Sequence, residues 1–218
     1  MNINTALFDM DGLLLDTEPL WGESMLRIAQ KHHIPITQGL FKETTGLRIC
    51  EVTDYWAVKY PWKGAPAAVV ADEIVEDIIA LAKKKGRVMP GVQASLVMLK
   101  EQGFKIGLAS SSPTQMIRAL VDFFQLTSYF DCVTSADEVA LGKPHPAVFM
   151  KCAEQLNSHS MECVVLEDSV NGVIAGKAAR MKVIAIPDAA HYNKPQFTLA
   201  DAKLKSMEEL TLSLIHQL

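Results

Sequence analysis

The stretch Phe8-Asp9-Met10-Asp11-Gly12 closes the first apolar run of the chain, which extends from Ile3 to Phe8. Four more short apolar runs follow, and each ends in a polar residue or a turn. These later runs are Phe104 to Ala109, Phe130 to Thr134, Cys163 to Leu166 and Val183 to Ile186. Because helical patterns separate the runs, the sequence predicts an α/β fold with a parallel sheet covered on both faces.

Helices are expected between these runs. The predicted segments are Gly91 to Gln102, Pro113 to Phe124, Pro146 to Gln155 and Val173 to Ala179. Ser112 is predicted to cap the second of them, with Pro113 at the first helical position. Residues 18–87 interrupt the alternation of apolar runs and helices. This stretch looks mostly helical, as at Leu20 to Lys31 and Ala67 to Lys85, and it contains all three tryptophans. We predict an inserted helical cap over 18–87 and a catalytic core made of 1–17 and 88–218.

The bulk composition excludes several classes of protein. The chain has 218 residues, a formal net charge of −4 and a pI near 5.9, so its surface as a whole does not attract nucleic acid or an anionic membrane. The N-terminal residues do not resemble a signal peptide, and no apolar stretch predicts a membrane span. The four cysteines are widely spaced, which favours free thiols in a reducing cytoplasm over a zinc site. We expect a cytoplasmic monomer, with a dimer as the alternative.

Polar residues at the ends of the runs carry the predicted chemistry. In an open parallel sheet, ligands bind beyond the carboxyl ends of the strands, so Asp9, Asp11, Ser110, Glu167 and Asp168 should meet in one crevice. Converging carboxylates repel each other unless a cation lies between them. Ligation by oxygen atoms alone, with room for water and phosphate, favours Mg²⁺.

A phosphate group fits the same crevice. Lys143 supplies positive charge, and Ser110 with the N–H groups that follow it forms a cradle at a helix N-terminus. Each signal alone has an ordinary explanation, since such residues commonly form turns, helix caps and solvated surface. Their joint occurrence at successive strand ends favours a site for a metal and a small phosphorylated metabolite.

Four motifs resemble those of the haloacid dehalogenase superfamily, in its phosphatase branch. They are Phe8-Asp9-Met10-Asp11-Gly12, Ala109-Ser110-Ser111, Lys143-Pro144 and Leu166-Glu167-Asp168-Ser169. The resemblance covers essentially the whole chain and implies a Rossmann-like core, doubly wound, with an inserted helical cap. True haloacid dehalogenases lack the second aspartate of the first motif, which this chain has.

The resemblance also implies roles for these residues. Asp9 would be the nucleophile that forms an aspartyl-phosphate, and Asp11 the general acid and base. Ser110 and Lys143 would hold the transferring phosphoryl group, with Ser111 contacting substrate. Mg²⁺ would be bound by the side chain of Asp9, the backbone carbonyl of Asp11 and the side chain of Asp168, with Glu167 close by.

Three further stretches are similar to sugar-phosphate enzymes of the superfamily, a branch with bacterial hexitol phosphatases and β-phosphoglucomutase. They are Asp16-Thr17-Glu18-Pro19-Leu20-Trp21, Gly46-Leu47-Arg48 and Tyr60-Pro61-Trp62-Lys63-Gly64. The resemblance implies substrate contacts for Arg48, Thr17, Glu18 and Trp21. Each has a structural alternative. Arg48 could be a surface arginine, Thr17 and Glu18 could be hinge residues, and the tryptophans could pack inside the cap.

The predicted activity is hydrolysis of a sugar or sugar-alcohol phosphate. A mutase that moves phosphate between sugar positions is the first alternative, although β-phosphoglucomutase has a histidine where this chain has Trp21. A non-catalytic regulator that binds a phosphate ligand and Mg²⁺ is the second. The intact set of Asp9, Asp11, Lys143 and the acidic pair argues against the regulator.

Overall fold

Six parallel strands form one sheet in the computed structural model, which describes residues 2–44 and 47–218. The strand order is β3-β2-β1-β4-β5-β6. The strands are β1 (Thr5–Phe8), β2 (Lys105–Ser110), β3 (Cys132–Ser135), β4 (Cys163–Glu167), β5 (Lys182–Ala185) and β6 (Ala202–Lys203). The predicted α/β fold with a parallel Rossmann-like sheet is confirmed. Strand β6 was not predicted, because two residues are too short to give a periodic pattern.

Eight α-helices accompany the sheet within the described residues. They are α1 (Glu18–Lys31), α2 (Ile49–Lys59), α3 (Ala67–Lys85), α4 (Val92–Glu101), α5 (Thr114–Phe123), α6 (Ala147–Gln155), α7 (Val170–Ala178) and α8 (Leu212–His216). Short 3₁₀ turns occupy Gln38–Glu43, Thr127–Tyr129, Ala136–Glu138, Ser160–Glu162, Pro195–Leu199 and Met207–Glu209. In the part of the chain that the structure describes, every helix is too short or too polar to cross a membrane.

The central strand β1 is buried on both faces, which explains its uninterrupted apolar sequence. Successive side chains of a strand point to opposite faces. Accordingly, Phe8 belongs to the core cluster that includes residues of α4 and α5, whereas Leu7 belongs to the cluster that includes residues of α6 and α7. The two helical layers fix the end of β1, and therefore the position of Asp9.

Helices α1, α2 and α3 all fall within residues 18–87, which we call the insertion. Both α1 and α2 pack against α3. The insertion leaves and rejoins the core at adjacent points, where Leu15 forms an antiparallel bridge with Val88 and the N–H of Asp16 donates to the Arg87 carbonyl at 3.0 Å. Helices α1 and α3 match the predicted segments, apart from two residues at the start of α1, whereas α2 was not singled out in the sequence. The division into a core and a separate cap stays a prediction.

Candidate active site

A cavity of about 410 Å³ lies where β1, β2 and β4 end, between the core and the insertion. Its core wall holds polar residues that end or follow these strands, together with a lysine from the segment between β3 and α6. They are Asp9, Asp11, Ser110, Ser111, Ser112, Lys143, Glu167 and Asp168. The insertion contributes mainly apolar side chains, among them Met25, Phe41, Leu47, Ile49 and Val52. The core side of the cavity, which we call the floor, is therefore charged. The insertion side, which we call the roof, is mainly apolar.

Lys143 donates hydrogen bonds to three groups of the floor. Its Nζ donates to Asp9 Oδ1 at 2.6 Å, to Glu167 Oε1 at 2.7 Å and to the carbonyl of Ala109 at 3.1 Å. Burial alone would lower the pKa of Lys143, but the charges of Asp9 and Glu167 outweigh it and hold that pKa above its ordinary value. The amino group therefore remains a buried cation within reach of a ligand beside Asp9.

Three carboxyl groups crowd the same floor. Oxygen atoms of Asp9, Glu167 and Asp168 lie within 4.8 Å of one another. Burial raises the pKa of Asp9 to about 8, with Lys143 opposing the rise and Glu167 adding to it. Enclosure in the protein also raises the pKa of Asp168 well above its ordinary value, and the charge of Glu167 raises it further. A divalent cation with oxygen ligands fits this cluster, because it would relieve the repulsion and favour the ionised forms.

Glu167 is anchored by the residues that follow it. Its Oε2 accepts hydrogen bonds from the N–H of Ser169 at 2.9 Å and from the Ser169 hydroxyl at 3.0 Å. Together with the bond from Lys143, these contacts occupy both oxygens of a carboxyl group that is only 1% exposed. Glu167 is thus held rigidly beside Asp9.

The side chain of Asp11 is directed to a different set of partners. Its Oδ1 accepts from the Thr17 hydroxyl at 2.6 Å and from the Trp21 indole N–H at 3.0 Å. Its Oδ2 accepts from the Ser112 hydroxyl at 2.5 Å. Three donors from two parts of the chain therefore orient a carboxyl group that lines the cavity. Sequence reasoning missed Ser112 in this role and the hydrogen bond from Trp21.

Gly12 allows the first motif to approach the acidic cluster. Its φ is +76°, a conformation that residues with a side chain rarely adopt. A Cβ atom at this position would lie 2.2 Å from Asp168 Oδ2. The glycine in the Asp-x-Asp-Gly stretch is therefore required both by the turn and by the nearness of Asp168.

The three serines after β2 have separate contacts. Ser110 Oγ accepts from the N–H of Ser112 at 3.1 Å, and Ser111 Oγ is buried without a hydrogen-bond partner among the described residues. The prediction that Ser112 caps α5 is wrong. The helix begins at Thr114, whose N–H donates to Asp137 Oδ2 at 3.0 Å, and the Ser112 hydroxyl is engaged with Asp11 instead.

Glu18 lies at the cavity, next to Thr17 in the chain. Part of its side chain remains exposed, yet the surrounding protein withdraws the carboxyl group from bulk water. Burial, followed by the charges of Asp11 and Asp188, raises the pKa of Glu18 to about 7. The structure thus brings Thr17 and Glu18 to the candidate site, and their contact with substrate stays a prediction.

The three tryptophans differ in their surroundings. Trp21 lines the cavity, as the substrate-contact prediction requires. Trp56 is fully buried and stacks on Phe41 with ring centroids 6.2 Å apart. Trp62 donates its indole N–H to the carbonyl of Ala65 at 2.9 Å. Packing within the insertion therefore accounts for Trp56 and Trp62.

Arg48 does not line the cavity, although Leu47 and Ile49 on either side of it do. Its guanidinium group donates to backbone carbonyls of the core and to Glu51. Gly46, quoted for the same stretch, lies outside the described residues. The substrate contact predicted for Arg48 stays a prediction, and the structure supplies other partners for its side chain.

His191 is a cavity residue that sequence reasoning missed. It follows β5, and its Nδ1 lies 2.8 Å from Asp188 Oδ2. The apolar run that ends in Pro187-Asp188 signals a polar strand end at this place, but nothing in the sequence assigns a ligand contact to a histidine three residues later.

Comparison with known proteins identifies a family and relatives that are similar to this chain. Residues 6–186 match the profile of a family described as "Haloacid dehalogenase-like hydrolase". Hexitol phosphatase B of Escherichia coli (strain K12) is 42% identical over 210 residues, which cover 96% of this chain and 95% of that protein.

Solved structures share the fold. The crystal structure of CbbY from Rhodobacter sphaeroides in complex with phosphate has a TM-score of 0.89 at 25% identity, covering 99% of this chain and 100% of that one. β-Phosphoglucomutase from Clostridium difficile has a TM-score of 0.85 at 23% identity, covering 99% and 96%. Since the family profile spans most of the chain, from before Asp9 to beyond Asp168, the chain belongs to the haloacid dehalogenase-like hydrolase family.

Proposed function

We propose that the protein is a Mg²⁺-dependent phosphatase that hydrolyses a small sugar or sugar-alcohol phosphate. The observation that carries the proposal is the placement of Asp9, which is 7% exposed at the floor of a cavity and bonded to the buried Lys143. Similarity to a relative named hexitol phosphatase supports the choice of a sugar-alcohol or sugar ester.

Asp9 is the nucleophile of the first step. Its carboxylate attacks phosphorus, and a bond from Asp9 to phosphorus forms as the bond from phosphorus to the sugar oxygen breaks. The departing alkoxide takes a proton from Asp11, because an unprotonated alkoxide is a poor leaving group. The sugar leaves as an alcohol, and the phosphoryl group remains on Asp9.

The second step returns the enzyme to its starting state. Asp11, now ionised, removes a proton from water, and the oxygen of that water attacks phosphorus. The bond from phosphorus to Asp9 breaks, inorganic phosphate is released, and Asp11 carries its proton again. The three hydrogen bonds to Asp11 keep its carboxyl group oriented during both steps.

Several groups stabilise the phosphoryl oxygens. The ammonium of Lys143 lies beside Asp9, and Ser110 and Ser111 line the same wall. The side chains of Asp9 and Asp168, with the backbone carbonyl of Asp11 and with Glu167 nearby, would hold Mg²⁺. When bound, Mg²⁺ neutralises negative charge on the nucleophile and on the phosphoryl group.

The insertion acts as a cap that selects the leaving group. Its apolar roof over the charged floor excludes water when the cap is closed, and side chains such as Trp21 and Glu18 are close enough to contact a sugar. Residues 18–87 form this cap, and residues 1–17 and 88–218 form the core beneath it.

The charges of the cavity favour hydrolysis of a monoester over the mutase reaction. Among the described residues that line it, Lys143 is the only lysine or arginine, and it is already bonded to Asp9 and Glu167. A sugar bisphosphate would need a second cation for its distal phosphate. A substrate with one phosphate group fits this distribution of charge.

Release of inorganic phosphate tests the proposal. The protein is assayed with Mg²⁺ against hexose, deoxyhexose and hexitol phosphates. We expect phosphate release from at least one of them. Interconversion of sugar phosphates without release of phosphate would establish the mutase, and binding of a phosphate ligand without turnover would establish the regulator.

A further inference from the structure

The guanidinium group of Arg48 reaches from the insertion to the core. Its Nη1 donates to the carbonyls of Ala136 at 3.3 Å and Val139 at 3.2 Å, and its Nη2 donates to the carbonyl of Ala140 at 3.3 Å. Three backbone acceptors on one short loop therefore face a single side chain. The planar arrangement of donors in arginine suits such a set, whereas the single amino group of a lysine does not.

The stem of Arg48 packs on the same loop. A Cβ atom built on Gly142 would lie 3.1 Å from Cγ and 3.3 Å from Cδ of Arg48. The arginine side chain is only 17% exposed. Gly142 directly precedes Lys143, so Arg48 contacts the loop that carries the buried cation of the active site.

Glu51 makes Arg48 a poor site for an anion. Its Oε1 lies 2.7 Å from Arg48 Nη2, and its Oε2 accepts from the Arg48 backbone N–H at 3.0 Å. The carboxylate neutralises the guanidinium charge, while the three carbonyls direct negative ends of dipoles at it. A substrate phosphate would have to displace several of these partners before it could bind there.

We propose that Arg48 is a positioning residue that holds the insertion closed over the active site, and we call its contacts with residues 136–142 the clasp. Leu47 and Ile49, next to Arg48 in the chain, form part of the cavity roof. Fixing Arg48 therefore fixes the roof above the substrate. The clasp also restrains the loop before Lys143, and so it links closure to the placement of that lysine.

The effect of the clasp on catalysis rests on the proposed function, whereas its effect on closure does not. A clasp serves every substrate, so its loss lowers kcat/KM by a similar factor for a sugar phosphate and for p-nitrophenyl phosphate. A direct contact with the sugar would instead affect only the sugar phosphate. Opening of the clasp also exposes backbone amides to solvent, whether or not the protein hydrolyses anything.

The test compares Arg48→Ala, Arg48→Lys and Arg27→Ala. Arg27 is a matched control because it is an exposed arginine of the insertion whose partner, Asp77, belongs to the insertion too. Hydrogen exchange of peptides covering residues 47–52 and 136–143 is measured by mass spectrometry without substrate, and kcat/KM is measured with both esters. We expect Arg48→Ala to speed exchange in both segments and to lower both kcat/KM values by about tenfold. Arg48→Lys should give an intermediate effect, and Arg27→Ala should give none.

Two results would overturn the clasp. One is unchanged exchange in both segments of Arg48→Ala. The other is a loss confined to the sugar phosphate, which would make Arg48 a substrate contact. If the wild-type protein hydrolysed no phosphate ester, the proposed function would fail, and the exchange measurement would still decide on the clasp.

Discussion

The indole N–H of Trp21 donates a hydrogen bond of 3.0 Å to Oδ1 of Asp11. This bond connects helix α1 of the insertion to the candidate acid and base of the core. Trp21 is also part of the cavity wall. A side chain that the sequence presents as a sugar-stacking or packing residue is therefore a hydrogen-bond donor to a carboxyl group of the candidate site.

Replacement of Trp21 by phenylalanine removes this donor and keeps an aromatic ring. We expect Trp21→Phe to lower kcat by about tenfold, because a hydrogen bond to a charged group contributes roughly 1.5 kcal/mol or more to orienting that group. KM should change less than kcat. Steady-state kinetics on the best substrate of the panel measure both constants.

Trp62→Phe is the matched control for this prediction. Its indole N–H also donates one hydrogen bond, but the acceptor is the carbonyl of Ala65 in the insertion. The control should retain kcat near the wild-type value. Equal losses in the two variants would mean that removal of any tryptophan N–H from the insertion disturbs the fold, and the link to Asp11 would be refuted.

Asp9→Asn should abolish turnover while the fold survives. The amide has nearly the same shape, but it cannot form the aspartyl-phosphate, so kcat should fall by about a thousandfold or more. Phosphate release measures the loss, and thermal melting followed by circular dichroism checks the fold. Asp122→Asn, at an exposed aspartate, serves as the control. More than about a tenth of wild-type turnover in Asp9→Asn would exclude Asp9 as the nucleophile.

Asp11→Asn should separate the two chemical steps. A nitrophenolate leaves without a proton, so the variant should still transfer phosphate from p-nitrophenyl phosphate to Asp9. The second step lacks its base and should nearly stop. We expect a burst of about one equivalent of nitrophenol followed by very slow turnover, with phosphate mapped to Asp9 by mass spectrometry.

The same variant should lose the first step on a sugar phosphate, because the alkoxide needs a proton. A matched experiment with both esters therefore distinguishes an acid and base from a residue that only maintains the site. Loss of both substrates to the same extent, without a burst and without phosphorylated Asp9, would assign Asp11 a structural role.

Mg²⁺ should stabilise the protein more at pH 8 than at pH 5. Burial raises the pKa of Asp9 from an ordinary 3.8 to about 8, so the metal-free folded state binds a proton more tightly than the unfolded state does. The stabilising contribution of this group to the free energy of unfolding is therefore fully present below about pH 4 and is lost as the pH rises towards 8. Mg²⁺ bound by Asp9, Glu167 and Asp168 would favour the ionised carboxylates, so it should offset that fall.

Thermal melts with excess Mg²⁺ and with a chelator test this pH dependence. We expect Mg²⁺ to raise Tm by about 5 °C or more at pH 8, and by much less at pH 5. Asp168→Asn should remove most of the gain, since it deletes one carboxylate of the cluster. A gain that is equal at both pH values would argue against a metal on these carboxylates. Catalysis should likewise cease after exhaustive chelation.

The elements that could be predicted from sequence are those with a strong local signal. The apolar run before Asp9 and the buried run before Glu167 both become strands of the parallel sheet. Helix α3 spans Ala67–Lys85, as predicted, because its periodic apolar residues face α1 and α2. Each of these signals lies within one continuous segment of the chain.

Contacts between distant segments could not be predicted in this way. The bond from Ser112 to Asp11 joins residues 101 positions apart, and the bonds from Arg48 to the core span about 90 positions. A serine before a proline reads locally as a helix cap, and an arginine in an insertion reads locally as a surface or ligand residue. Ser112 meets Asp11 because β1 and β2 pair in parallel, and Arg48 meets its carbonyl partners because the insertion packs against the core.

The bridge between Leu15 and Val88 closes the base of the insertion, so the chain departs from the core and returns to it side by side. A segment with neighbouring ends can be shortened, lengthened or replaced without rerouting the chain on either side of it. A single recombination event at this junction would therefore place the insertion of one protein on the core of another. With the proposed function, such an exchange would change the substrate that is selected and leave the proposed catalytic residues of the core in place.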